Sequence, residues 1–250
     1  MKKVVTLLAS LALAASLASA QTVDEIIAKS ISARGGSEKI KAVQSQRLTG
    51  SISFGPDAEG VLIAEMKRPG KMREQFTMGG KTMIRTTDGV SGWVVNPFAG
   101  KDVPQPLSAD EMRTMSQKAD FDRPLIDYKA KGNHIELLGK EKVDATDAYK
   151  LKVTLKDGQV RYDYIDSITY QEIKWEGKIV ADGREIEATS YFRDYRNVEG
   201  VMYPFLIESE TSGSATKQKI IFQKVEINPP IDDSRFGEPE SPSAVETPAK

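Results

Sequence analysis

Turn signals recur along this chain at intervals too short for anything but hairpins. Gly55-Pro56-Asp57, Arg68-Pro69-Gly70, Gly79-Gly80 and Asp88-Gly89 punctuate its first half. Asp157-Gly158, Glu176-Gly177, Asp182-Gly183, Glu199-Gly200 and Ser212-Gly213 do the same in its second. Between them hydrophobicity has a period of two. Leu48, Gly50, Ile52 and Phe54 share a face of one run, Leu62, Ala64 and Met66 a face of the next, then Met72, Phe76 and Met78. Farther on, Tyr149, Leu151, Val153 and Leu155 alternate with Lys150, Lys152 and Thr154. Alternating runs joined by short turns predict an antiparallel meander, here of roughly ten or eleven strands. No repeat or linker divides them, so a single domain over 21–237 is expected. A sheet of that width twists, and it must curl, split or close.

Two helical stretches interrupt the pattern. Thr22 and Glu25 form a capping box ahead of a stripe at Val23, Ile26, Ile27, Ser30 and Ile31. Gly35-Gly36 stops that helix, and Ser37 restarts a shorter one with Ile40 and Val43 inward. The first helix, with one apolar stripe, suits the concave side of a curled sheet. The segment 104–128 breaks the meander: it opens with Pro104 and Pro106, and Ser108 and Glu111 make a second capping box. Met112, Met115 and Ala119 then fall on one helical face, with Phe121, Leu125 and Ile126 beyond. The fold class is α+β.

The chain begins as an export signal does. Lys2 and Lys3 precede the apolar run Val4–Ala15, and Ala18-Ser19-Ala20 offers a cleavage site before Gln21. The run is shorter and richer in Ala and Ser than the roughly 20 apolar residues that span a bilayer. No cysteine follows, so lipidation of the new N-terminus is not expected. The end, Glu238–Lys250, is rich in Pro, Glu, Ser and Ala and is expected to be disordered.

Much chemistry is excluded by count. With no cysteine and one histidine, a thiolate site, a Cys nucleophile, a disulfide framework and a multi-histidine zinc centre are impossible. A formal net charge of −1 carries no basic stripe for nucleic acid. Gly80-Lys81-Thr82 ends like a phosphate-binding loop, but Gln75 stands where its first glycine belongs and the context is strand to strand. His134 reads as a strand-edge residue, Tyr162 and Tyr164 as core, and no carboxylate pair has the isolation that would raise its pKa. No catalytic residue, metal ligand or cofactor is expected, and the chain is read as a non-enzyme.

Methionine is the informative residue. Met66, Met72, Met78, Met83, Met112 and Met115 crowd into fifty positions; of the eight in the chain only Met1 and Met202 lie elsewhere. An unbranched, polarizable side chain re-packs around variable apolar partners. With Phe76, Trp93 and Phe98, these six make an expected apolar wall and lid around a ligand.

These residues carry a resemblance. Gly60…Lys67-Arg68-Pro69, Asp88-Gly89 with Trp93, and Asn96-Pro97-Phe98 are similar to the LolA-like periplasmic lipoprotein carriers. So are Asp194-Tyr195-Arg196…Glu199-Gly200-Val201…Pro204 and the closing stretch Val225-Glu226-Ile227-Asn228 through Ile231-Asp232 to Phe236 and Pro239. The resemblance implies an open half-barrel with a short helical lid over an apolar cavity, in a monomer working in the periplasm. It implies a carrier taking acyl chains of lipoproteins, or another lipid, from an inner-membrane donor complex to an outer-membrane acceptor. Arg68 would latch the lid by hydrogen bonds. Related half-barrels instead bind a membrane anti-sigma protein and sense lipid signals, and that regulator is the alternative; they carry a further domain that is not expected after Phe236 here.

Overall fold

The computed structural model describes residues 21–55, 58–181 and 184–240. The expected signal, and all of the expected disordered tail beyond Glu240, lie outside the described residues. Thirteen strands form one sheet in which every neighbour is antiparallel. Chain order runs β1 (Ser45–Ser53), β2 (Glu59–Lys67), β3 (Lys71–Met78), β4 (Lys81–Thr87), β5 (Gly92–Asn96) and β6 (Lys101–Pro106). The rest are β7 (His134–Val143), β8 (Thr146–Thr154), β9 (Val160–Asp166), β10 (Glu172–Ala181), β11 (Arg184–Val198), β12 (Val201–Thr211) and β13 (Gln218–Ile227).

The spatial order β6-β5-β4-β3-β2-β1-β13-β12-β11-β10-β9-β8-β7 joins two meanders at β1 and β13. Both free edges therefore come from the middle of the chain. The connection from β6 to β7 has to cross from one edge to the other, and the sheet stays an open half-barrel. That topology makes the 107–133 segment a lid.

The thirteen strands exceed the expected ten or eleven, and one of the additional ones forms just after Asn96. Pro97–Ala99 is one 3-10 turn, and Lys101–Pro106 pairs back on β5, Trp93 opposite Pro106. Its prolines mark an edge strand, the one place in a sheet where a missing donor is tolerated. They do not open the lid, as the sequence suggested.

The alternating residues of β1–β3 all meet on one face: Leu48 faces Ala64, Gly50 faces Leu62, Leu62 faces Phe76 and Met66 faces Met72. That concave face is covered by α1 (Val23–Arg34), α2 (Ser37–Ala42) and α3 (Ala109–Lys118). Both expected capping boxes form, at Thr22/Glu25 and Ser108/Glu111. Ile26 and Ile27 of α1 pack with Leu151, Val153 and Ile165, while Ile40 of α2 and Met115 of α3 pack with Met66, Met72, Phe76 and Phe222. Each fully buried side chain of this size contributes on the order of 1.5–3 kcal/mol.

After β13 the chain straps the convex face. Lys67 and Lys71 pair with Asp233, Arg235 reaches Glu65 at 2.6 Å, Phe236 is wholly buried, and Thr86 donates to the Gly237 carbonyl. Pro239, expected in the disordered tail, is buried. Tyr162 and Tyr164 also lie on this outer face, opposite Lys152 and Lys150. Tyr164 is buried there beneath Lys150 and Lys174, not in the concave core.

Candidate functional site: the lid and the inner wall

Alternation on β2–β4 aims Met66, Met72, Phe76, Met78 and Met83 at the concave side. Met66, Met72 and Phe76 are buried in one apolar cluster, with Met78 and Met83 packed at its margin. Met115 of α3 completes it from above at 3% exposure. Met112, one turn earlier, is half-buried against Gly92 and the lid residue Leu107: a Cβ on Gly92 would fall onto its sulfur. Phe98 stands at the mouth, its ring 5.5 Å from Phe76, with Phe54 5.6 Å from Phe76 on the other side.

Trp93 is not brought into this group. It pairs with Thr86, whose hydroxyl serves the C-terminal strap, so its indole lies on the convex side. A slip of one residue reverses a side chain on a strand, and the tight turn at Asp88-Gly89 sets the register of β5. Trp175, by contrast, shares the inner face with Leu151 and Asp163.

Among the ties that hold the lid, three frame α3. On one rim Lys118 of α3 binds Glu74 of β3 at 2.9 Å; on the other Gln117 binds Gln159 at 2.6 Å. At the base, Arg68 donates to Asp122 through Nη2 at 2.6 Å and Nη1 at 3.2 Å, and to the Val43 and Ile40 carbonyls at 2.8 and 3.3 Å. Its guanidinium also lies over Phe121, 4.8 Å from the ring centre. One side chain thus joins the end of β2, the exposed carbonyls at the end of α2 and the lid. Burial works against the Asp122 carboxylate, but the Arg68 bonds and charge outweigh it and hold its pKa below the usual value.

The interior is closed in this state. Side chains of the protein occupy the expected hollow, and beneath α1 and the lid there is a cavity of only about 30 Å³, room for about two water-sized positions. Its lining includes Ile31 and Ile126 but also Arg34, Asp122, Arg123, Asp163, Glu172 and Tyr195. Glu172 bridges Arg123 at 2.6 Å and Arg161 at 2.9 Å, Arg161 holds Asp163 at 2.5 Å, and Tyr195 donates to the Glu172 carbonyl. Burial, reinforced by Glu172, pushes Asp163 up to about 6 against the pull of Arg161. One carboxylate with a raised pKa, Asp163, therefore lies beside a second, contrary to the sequence reading. Arg161 and Asp163 face inward on β9, while Tyr162 and Tyr164, which alternate with them, face outward. Arg34 also had a signal: it follows Ser30 by four residues, so a charge continues the buried stripe of α1.

No family model matches the chain, and no curated protein matches it. Solved structures do share the fold. A DUF1329 family protein from Desulfovibrio piger superposes with a TM-score of 0.59 at 13% identity, over 84% of this chain and 95% of that one. A LolA superfamily protein from Nitrosomonas europaea gives 0.56 at 20% identity, over 88% and 99%. An outer membrane lipoprotein-sorting protein domain from Vibrio parahaemolyticus gives 0.55 at 12% identity, over 86% and 95%. The chain has a LolA-like fold.

Proposed function

We propose that this protein is a non-enzymatic carrier that holds the acyl chain of a lipoprotein, or of another lipid, between its inner wall and α3. Exported to the periplasm, it would pass that chain toward the outer membrane. The observation that carries the reading is the methionine-lined apolar layer between two parts of the chain joined across the mouth by polar ties. Removing a sixteen-carbon chain from water is worth about 0.8 kcal/mol per CH₂, roughly 12 kcal/mol in all. Charge-assisted hydrogen bonds of about 1.5–3 kcal/mol each are far weaker, so a chain entering the layer can displace them. The closed state keeps the empty layer dry, and Met66, Met72 and Met115 can re-pack around an occupant.

The test is acyl content and entry. Protein isolated from an envelope extract is expected to yield acyl lipid by mass spectrometry. In a Trp93→Phe background, Trp175 is the remaining tryptophan and its emission should respond to an added acyl ligand. Repeated isolation without lipid, together with a silent Trp175, overturns the carrier reading.

A further inference from the structure

Arg34 and Arg123 line the inner cavity with Asp122, Asp163 and Glu172, and Arg68 and Arg161 bind those carboxylates from beside it. Arg68 is paired with Asp122, Arg123 with Glu172, and Arg161 with Asp163 and Glu172. Arg34 is the exception. It donates from Nη2 to the Phe121 carbonyl at 2.8 Å and forms no ion pair among the described residues. Its side chain nevertheless lines the cavity. Burial, and then the like charge of Arg123, depress its pKa to about 10, so it remains charged at neutral pH.

Arg34 is half-buried, and Glu172 acts on it only through space, with no direct ion pair; an anion that reaches a partly desolvated cation in this position relieves its cost. A guanidinium presents a planar fork matched to a carboxylate or phosphate. The cavity, at about 30 Å³, has room for about two oxygens of such a group. Its apolar wall at Ile31 and Ile126 is continuous with the layer under α3, since both side chains also belong to that packing. A ligand with its head at Arg34 can therefore lay its tail along the methionine wall.

We propose that the cavity receives the anionic head, a carboxylate or phosphate, of an acyl-chain ligand, with Arg34 as its counter-ion. This deepens the carrier reading and rests on it. It selects an acyl ligand with an ionised head over one whose head is neutral, and of the two cargoes in the carrier reading it favours another lipid over a lipoprotein.

The test titrates the mature protein at pH 8 with laurate, dodecyl phosphate, methyl laurate and inorganic phosphate, read by calorimetry. Laurate or dodecyl phosphate should bind at least tenfold more tightly than methyl laurate, and whichever is tighter identifies the head. Arg34→Gln should shrink that preference to within twofold, and Arg34→Lys, which keeps the charge, should retain most of it. Equal affinity of acid and ester in the wild type, or a preference that survives Arg34→Gln, overturns the proposal and leaves the carrier reading standing. Inorganic phosphate binding as well as dodecyl phosphate overturns the link to an acyl ligand. Binding of none of the acyl compounds overturns both readings.

Discussion

Arg68 and Asp122, 54 positions apart, meet in a two-point ion pair with Nη2–Oδ1 at 2.6 Å and Nη1–Oδ2 at 3.2 Å. The first sits just after β2, in the turn before β3; the second follows α3. The pair fastens the crossing segment to the sheet at the point where α2 also ends. Its position explains how a lid whose helix buries only part of one face can rest shut: the apolar contacts of Met115 and Ala119 act together with a polar clasp at the base.

Arg68→Leu should loosen the lid without unfolding the sheet. The pair is half-buried, so its loss costs about 2 kcal/mol, the low end for breaking a partly desolvated charge pair. At 1.4 kcal/mol per decade, local opening rises more than tenfold. Hydrogen exchange of 109–126 should accelerate by that factor while β8 and β9 stay protected. Equal protection in both forms would remove Arg68 from lid closure.

Acid should affect the two inner carboxylates in opposite directions. Asp122 has a folded pKa below its ordinary 3.8, so its stabilisation is complete above about 3.8 and is lost as pH falls through the lower, folded value. Asp163 is raised from 3.8 to about 6, so the folded state binds its proton more tightly. Its contribution is favourable below about 3.8 and is lost as pH rises through 6. Urea melts of Asp163→Asn against wild type at pH 4 to 7.5 should show the variant gaining relative stability between about 4 and 6, then a plateau. Parallel curves across that window would contradict the burial of this carboxylate.

Gly92 and Met112 form a contact that can be tested in pairs. A methyl at Gly92 would strike the Met112 sulfur, lie 2.7 Å from Leu107 Cδ1 and 2.9 Å from the Thr86 carbonyl. Gly92→Ala should push the lid from the wall at a cost of about 1–3 kcal/mol. Adding Met112→Ala should recover part of that loss, because the sulfur is the movable obstacle and the carbonyl is not. Strict additivity in a double-mutant cycle would mean the contact does not exist.

Gly50 should be less forgiving. It sits at the bulge where β1 changes register against β13, and a Cβ there would meet the Ile221 carbonyl and stand 3.0 Å from Phe222 Cα. Backbone on both sides leaves nothing flexible to yield. Gly50→Ala is expected to lower stability by about 2–4 kcal/mol in denaturant melts, since it wedges apart the junction of the two meanders. Gly79→Ala, in open space at a φ of +57°, should cost about 1 kcal/mol by backbone strain alone. A smaller loss at Gly50 than at Gly79 would refute the close approach.

The inner wall was legible because it obeys local periodicity. Leu62, Met66, Met72 and Phe76 alternate in sequence, and each turn between them is short enough to fix which side they share. Trp93 was misplaced because its face depends on the register set by the turn at Asp88-Gly89 and on a strap that arrives from residues 229–237. Asp122 carried little signal, since a charge in a loop is ordinary on a surface, and the one signal of Arg34, its place on the stripe of α1, named no partner. Their meaning comes from what folds over them.

Sequence alone determined that this chain is a long hairpin sheet with two capped helical interruptions, because turn residues and alternation act within a few positions of themselves. It also removed thiol and multi-histidine chemistry by composition. Only the tertiary structure decided that both sheet edges come from mid-chain and that their connection must bridge the mouth. It alone brought Arg68 to Asp122 and set Arg34 beside a cavity whose carboxylates bind other arginines. Those are pairings over tens of residues, set by which strand lies next to which, and no local pattern encodes them.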